Sequence, residues 1–100
     1  MEDAQSGNQP LRILIADDSD SDRLILQAML RQLGHEVVEA ANGGEAVERF
    51  RHASPQIVLL DAVMPGMDGM EAARQIKALA GERLVPLIFL TSLSDADALA

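Results

Sequence analysis

A chain of 100 residues has room for one domain. Apolar residues make up 48% of it but aromatics only 2%, Phe50 and Phe89, so a core must be built from Leu, Ile, Val, Ala and Met, and with no cysteine it can have neither disulfides nor thiolate metal sites. Eight basic against sixteen acidic residues give a formal charge of −8, which repels phosphate backbones and anionic membranes and argues against direct nucleic-acid binding.

Residues 1–10, "MEDAQSGNQP", show no periodicity and read as a flexible lead. They lack the basic and apolar regions of a signal peptide, so a cytoplasmic location is expected by default. The run "RILIA" (12–16) is short, apolar and β-branched, which predicts a strand ending in Asp17 and Asp18. Ser19 or Asp20 can cap a helix over 21–33, whose apolar residues Leu26, Met29, Leu30 and Leu33 fall at helical spacing with Ile25 and Ala28 beside them. Gly34 stands where a terminating glycine belongs.

The alternation then repeats. "EVVEA" (36–40) reads as a strand, "ANGG" as a turn, and 45–51 as a helix with Ala46, Val47 and Phe50 on one face, ended by Ser54 and Pro55. "QIVLL" (56–60) lacks alternation, as expected of a strand covered on both faces, and delivers Asp61 at its carboxyl end. After a loop of Pro, Gly and Met, residues 70–80 form a helical pattern closed by Gly81, and "PLIFL" (86–90) reads as a fourth strand followed by Thr91. "LVPLIFL" is far short of the roughly 18 apolar residues of a membrane helix.

Strands alternating with helices predict an α/β doubly wound parallel sheet. Ligands of such sheets bind beyond the carboxyl ends of the strands, where Asp17, Asp18, Asp61 and Thr91 all fall. Converging carboxylates repel one another unless a cation lies among them. Oxygen ligands with no nearby His or Cys select a hard ion, and Mg²⁺ beside a phosphoryl group is the expectation, with the Thr91 hydroxyl as a donor to it. An Asp pair ahead of a helix also suits capping; its coincidence with Asp61 and Thr91 at matching strand ends favours the site. Asp68 reads as turn chemistry, Met64, Met67 and Met70 as packing residues, and His35 and His52 as surface residues.

With "ADD" after the first strand, "LLDAVMPGMDG" after the third and "LTS" after the fourth, the chain resembles a bacterial two-component response-regulator receiver domain of the CheY-like kind over Leu11 to Ala100. The resemblance implies a flavodoxin-like sheet of order 2-1-3-4. It also implies that Asp61 is the phosphoacceptor, that Asp17 and Asp18 hold Mg²⁺ with the backbone carbonyl of Val63, and that Thr91 binds the phosphoryl oxygen. The implied donor is a sensor histidine kinase or phosphotransfer protein, and the implied activity is phosphorylation and dephosphorylation of Asp61 itself, with no turnover of an external substrate.

Two departures qualify the resemblance. The family's fifth strand and helix, and the lysine after that strand, lack counterparts; Lys77 precedes Thr91 and cannot be that lysine. The chain is accordingly expected to be a truncated receiver covering 11–100, or one completed by another chain as a homodimer or domain-swapped dimer. The alternative function is a phosphorylation-independent receiver-like binding or dimerisation module, and a Mg²⁺-dependent phosphohydrolase is disfavoured because Val63 stands where one such class has a second Asp. Nucleotide-binding glycine motifs do not occur. Val63 and Leu93, two positions after Asp61 and Thr91, are apolar and are expected to orient an attacking water poorly, giving a long-lived phosphoryl group.

Overall fold

In the computed structural model, residues 9–90 are described. Four strands, β1 (Arg12–Ala16), β2 (Glu36–Ala40), β3 (Ile57–Asp61) and β4 (Leu87–Leu90), alternate with three helices, α1 (Asp20–Gln32), α2 (Gly43–Ala53) and α3 (Gly69–Ala80). The strands form one parallel sheet of order β2-β1-β3-β4. That is the flavodoxin-like order expected from the sequence. Thr91, Leu93 and the helix start expected at "SDADALA" lie outside the described residues.

Alternation along the strands divides the core between two faces. Leu14, Ala16, Ala40, Val58 and Leu60 join Ala46, Val47 and Phe50 of α2 and Ala72, Ala73 and Ile76 of α3 in one buried cluster. Ile13 and Ile15 point to the opposite face, also buried, and α1 packs on β1 and β2. The helix turns Arg23, Leu26 and Leu30 inward, while Ile25, Met29 and Leu33 of the expected stripe are exposed. Leu59 is only half-buried, so β3 is fully covered on one face and partly on the other.

Local chemistry sets the boundaries. The Ser19 hydroxyl accepts from the Asp22 N–H at 3.2 Å and caps α1, and Gly34, at φ 96°, makes the left-handed turn after it. Asn42 accepts from the Glu45 N–H at 2.8 Å while Glu45 accepts from the Ala41 N–H at 2.8 Å, a reciprocal cap. This cap draws Gly43 and Gly44, read from sequence as a turn, into α2. Asp68 caps α3 by accepting from the Glu71 N–H at 2.9 Å, so its role is structural. Of the methionines in this loop, Met64 is buried and Met67 packs on the core, but Met70 is exposed, contrary to expectation. His35 is more than a surface residue, since its Nδ1 accepts from the Leu11 N–H at 3.1 Å; His52 is exposed and bonds Glu48.

One close approach governs how α3 meets the end of β3. The Gly69 N–H donates to the Ala62 carbonyl at 3.1 Å, and a β-carbon at Gly69 would lie 2.5 Å from the Asp61 carbonyl oxygen and 2.7 Å from the Ala62 Cα. Backbone cannot yield as a flexible side chain does, so the helix and loop would separate. Gly69→Ala is expected to cost about 1–3 kcal/mol of stability, measured as a lowered urea midpoint.

Candidate functional site

Register builds the site. Ala16 pairs with Leu60 across the parallel ladder of β1 and β3, so Asp17 and Asp61 emerge on the next rung of adjacent strands. Both are only 6% exposed. Asp18, the next residue, is exposed. The carboxylates of Asp17, Asp18 and Asp61 offer ligand atoms that all lie within 4.8 Å of one another. Three acids singled out from the sequence thus form one cluster at the carboxyl edge of the sheet.

Asp17 is held on every side. Its N–H donates to the Ala40 carbonyl at 3.1 Å, its Oδ1 accepts from the Ser19 N–H at 2.9 Å, and its carbonyl accepts from Arg23 Nη1 at 2.7 Å. Asp61 Oδ1 accepts from the Val63 N–H at 3.1 Å, which turns the chain away from the strand and fixes that carboxylate oxygen. The Val63 side chain is exposed.

Burial pushes the Asp17 carboxyl above its ordinary range, and the charges of Asp22 and Asp18 push it the same way; hydrogen bonds from the Ser19 backbone and with Asp61 oppose them. A hydrogen bond between two carboxyls requires a shared proton. The cluster therefore favours positive charge between its oxygens, which a proton supplies in part and a divalent cation supplies more fully. The donor set is entirely oxygen, carries several negative charges and is partly open to solvent through Asp18, which fits a hard ion such as Mg²⁺ that keeps some of its water.

Arg23 escaped the sequence reading. Its guanidinium reaches Asp17, Asp20 and Glu39. The signal available was its spacing: Arg23 is three and seven residues before Leu26 and Leu30, on the same inward line of α1. Thr91 lies outside the described residues and immediately follows Leu90, which pairs with Asp61 in the β3–β4 ladder. No helix among the described residues is long and apolar enough to cross a membrane.

Comparison with known proteins agrees with this geometry. Residues 13–100 match the response regulator receiver domain. Protein PilH of Pseudomonas aeruginosa is 44% identical over 81% of this chain and 67% of its own length. The transcriptional regulatory protein PdtaR of Mycobacterium tuberculosis is 43% identical over 88% of this chain but only 42% of its own length. Among solved structures, the receiver domain of the sensor histidine kinase PA1611 from Pseudomonas aeruginosa PAO1 superposes with a TM-score of 0.77 at 34% identity, covering 86% of this chain and 70% of that one. That domain has a magnesium ion coordinated in its active-site cleft.

Because the folded-state titration of Asp17 is raised, its contribution favours folding below the ordinary carboxylate range and is lost as pH rises through the raised value. Asp17→Asn, which keeps an acceptor for Ser19, is expected to melt higher than the parent in EDTA at pH 7, with the difference shrinking as pH is lowered toward that range. Thermal unfolding by circular dichroism across pH checks the sign.

Proposed function

The chain belongs to the response regulator receiver domain family, a family of signalling modules, and from this we propose that it is a phosphoacceptor switch charged on Asp61 by a sensor histidine kinase or phosphotransfer protein. The observation that carries the reading is the carboxylate cluster: Asp61, buried at a strand end with one oxygen fixed by Val63, lies against Asp17 and Asp18. A lone nucleophilic carboxylate would not need two further acids; a metal-assisted phosphoryl acceptor does.

In the proposed reaction a carboxylate oxygen of Asp61 attacks the phosphorus of a phosphohistidine. The phosphorus–nitrogen bond breaks, the imidazole keeps the electron pair and takes a proton from solvent, and the phosphoryl group remains on Asp61 as an acyl phosphate. Asp17, Asp18, Asp61 and the Val63 carbonyl would hold Mg²⁺, which when bound neutralises charge on the transferring group. Asp17 and Ser19 fix the near wall of the site through their hydrogen bond, and Gly69 lets the loop after Asp61 lie close against α3. Thr91, next after the strand paired with Asp61, would take a phosphoryl oxygen and pass the change into the sheet.

Incubation with acetyl phosphate and Mg²⁺ is expected to add about 80 Da, one phosphoryl group, to the intact mass. The gain should vanish in EDTA and in Asp61→Asn. A folded chain that gains nothing would instead be read as a phosphorylation-independent binding module. Once formed, the acyl phosphate is expected to persist for minutes, because the exposed Val63 side chain carries no polar atom to orient an attacking water; decay within seconds, followed by mass, would contradict this.

A further inference from the structure

Arg23 is an unexpected group to find beside a cation site. Its side chain is 15% exposed, and all three guanidinium nitrogens are engaged: Nη1 with the Asp17 carbonyl at 2.7 Å, Nη2 with Asp20 at 2.7 Å and Nε with Glu39 at 3.3 Å. The partners come from three parts of the fold, namely the turn after β1, the first turn of α1, and β2. A positive charge close to a metal site opposes metal binding by Coulomb repulsion, although here Asp20 and Glu39 offset it. Its charge is matched by Asp20 and Glu39, and what it adds at the site is geometry. A planar fork can hold a carbonyl and two carboxylates in fixed relative positions, which a lysine ammonium on a flexible stem does not.

The carbonyl of Asp17 opens the turn between β1 and α1. With its N–H held by Ala40 and its carboxylate by Ser19, the Arg23 bond removes the remaining freedom of the peptide that joins Asp17 to Asp18. We infer that Arg23 is a positioning residue that locks this peptide, presents Asp17 and Asp18 to Asp61 in one arrangement, and so makes the cluster select Mg²⁺ over Ca²⁺. Mg²⁺ demands near-octahedral oxygens at about 2.0–2.1 Å, whereas Ca²⁺ accepts more ligands at about 2.3–2.6 Å in flexible geometry. Loosening the turn therefore penalises the smaller ion more. The inference rests on the metal-binding part of the proposed function.

Titration calorimetry of the full chain, Arg23→Gln and Arg23→Lys with Mg²⁺ and separately with Ca²⁺ tests this, with circular dichroism establishing that each protein is folded. Loss of a residue that supports ligands typically costs 10–100-fold in metal affinity. Arg23→Gln is expected to bind Mg²⁺ about tenfold more weakly and to lose less affinity for Ca²⁺, whose geometry is more flexible, and Arg23→Lys should shift the ratio the same way. Equal losses for both ions are what partial unfolding gives and would overturn the assignment. A Lys variant with the parental ratio beside a defective Gln variant would make charge the operative feature and would overturn it too. If Arg23→Gln does not fold, Arg23→Lys carries the comparison alone. A folded parent chain that binds neither ion would sink the metal reading and this assignment together, whereas a parent that binds Mg²⁺ with variants of unchanged selectivity sinks only the role of Arg23.

Discussion

The structure depends on holding acids side by side. Asp17 and Asp61 are kept close because they are the residues immediately beyond a paired rung of two parallel strands. Adjacent strands lie about 4.7–4.9 Å apart, which brings the two strand-end carboxylates within reach of one another, and Asp18 joins them. Register is enforced in turn by side chains beneath the site: Leu14, Ile15, Val58 and Leu60 are all at 0% exposure. A slip of one residue would move Leu14 and Ala16 of β1 out of the cluster they share with α2 and α3 and put Ile13 and Ile15 in their place, so packing beneath the site holds the two strand ends in step.

Given that constraint, the loops act as fasteners. After β1 the chain is caught at once by Ser19, which both donates to Asp17 and caps α1, so strand end and helix start share one residue. After β3 the loop swings out through Met64, which is buried, and returns where Asp68 caps α3 and Gly69 touches the backbone of Asp61 and Ala62. Gly43 makes a similar approach on the other side, where a β-carbon would meet the Met67 carbonyl at 2.5 Å. Loop, α2 and α3 therefore meet at backbone distance. This ties the loop after Asp61 to both helices.

What the sequence disclosed follows the same division. Apolar runs bounded by turn residues gave β1 and β2 with their observed limits, and the acids were found because strand ends are where the chain leaves its core. Errors arose where two patterns overlapped. Gly43 and Gly44 read as turn residues, but the Asn42–Glu45 cap outweighs their poor helix propensity. Apolar spacing in α1 marked Met29 and Leu33 as inward, whereas Arg23 reaching Glu39 and Asp17 helps fix which face turns to the sheet. That network joins residues up to sixteen positions apart, a tertiary contact that local periodicity does not encode. Asp61 was expected at the carboxyl end of its strand and is the last residue of β3, where it pairs with Leu90.

That last pairing suggests how a change at the site would travel. β1 and β3 lie within the sheet and carry residues with no exposure, so motion there must disturb the core. β4 differs: among the described residues only β3 pairs with it, and Ile88 and Phe89 are 51% and 41% exposed. Local stability follows local burial, and elements that move in switching are drawn from the weaker end. A phosphoryl group on Asp61 would add charge beside a strand pair that is rigid on one side and lightly packed on the other. Among the described residues β4 is therefore the strand that can yield with the least loss of buried surface.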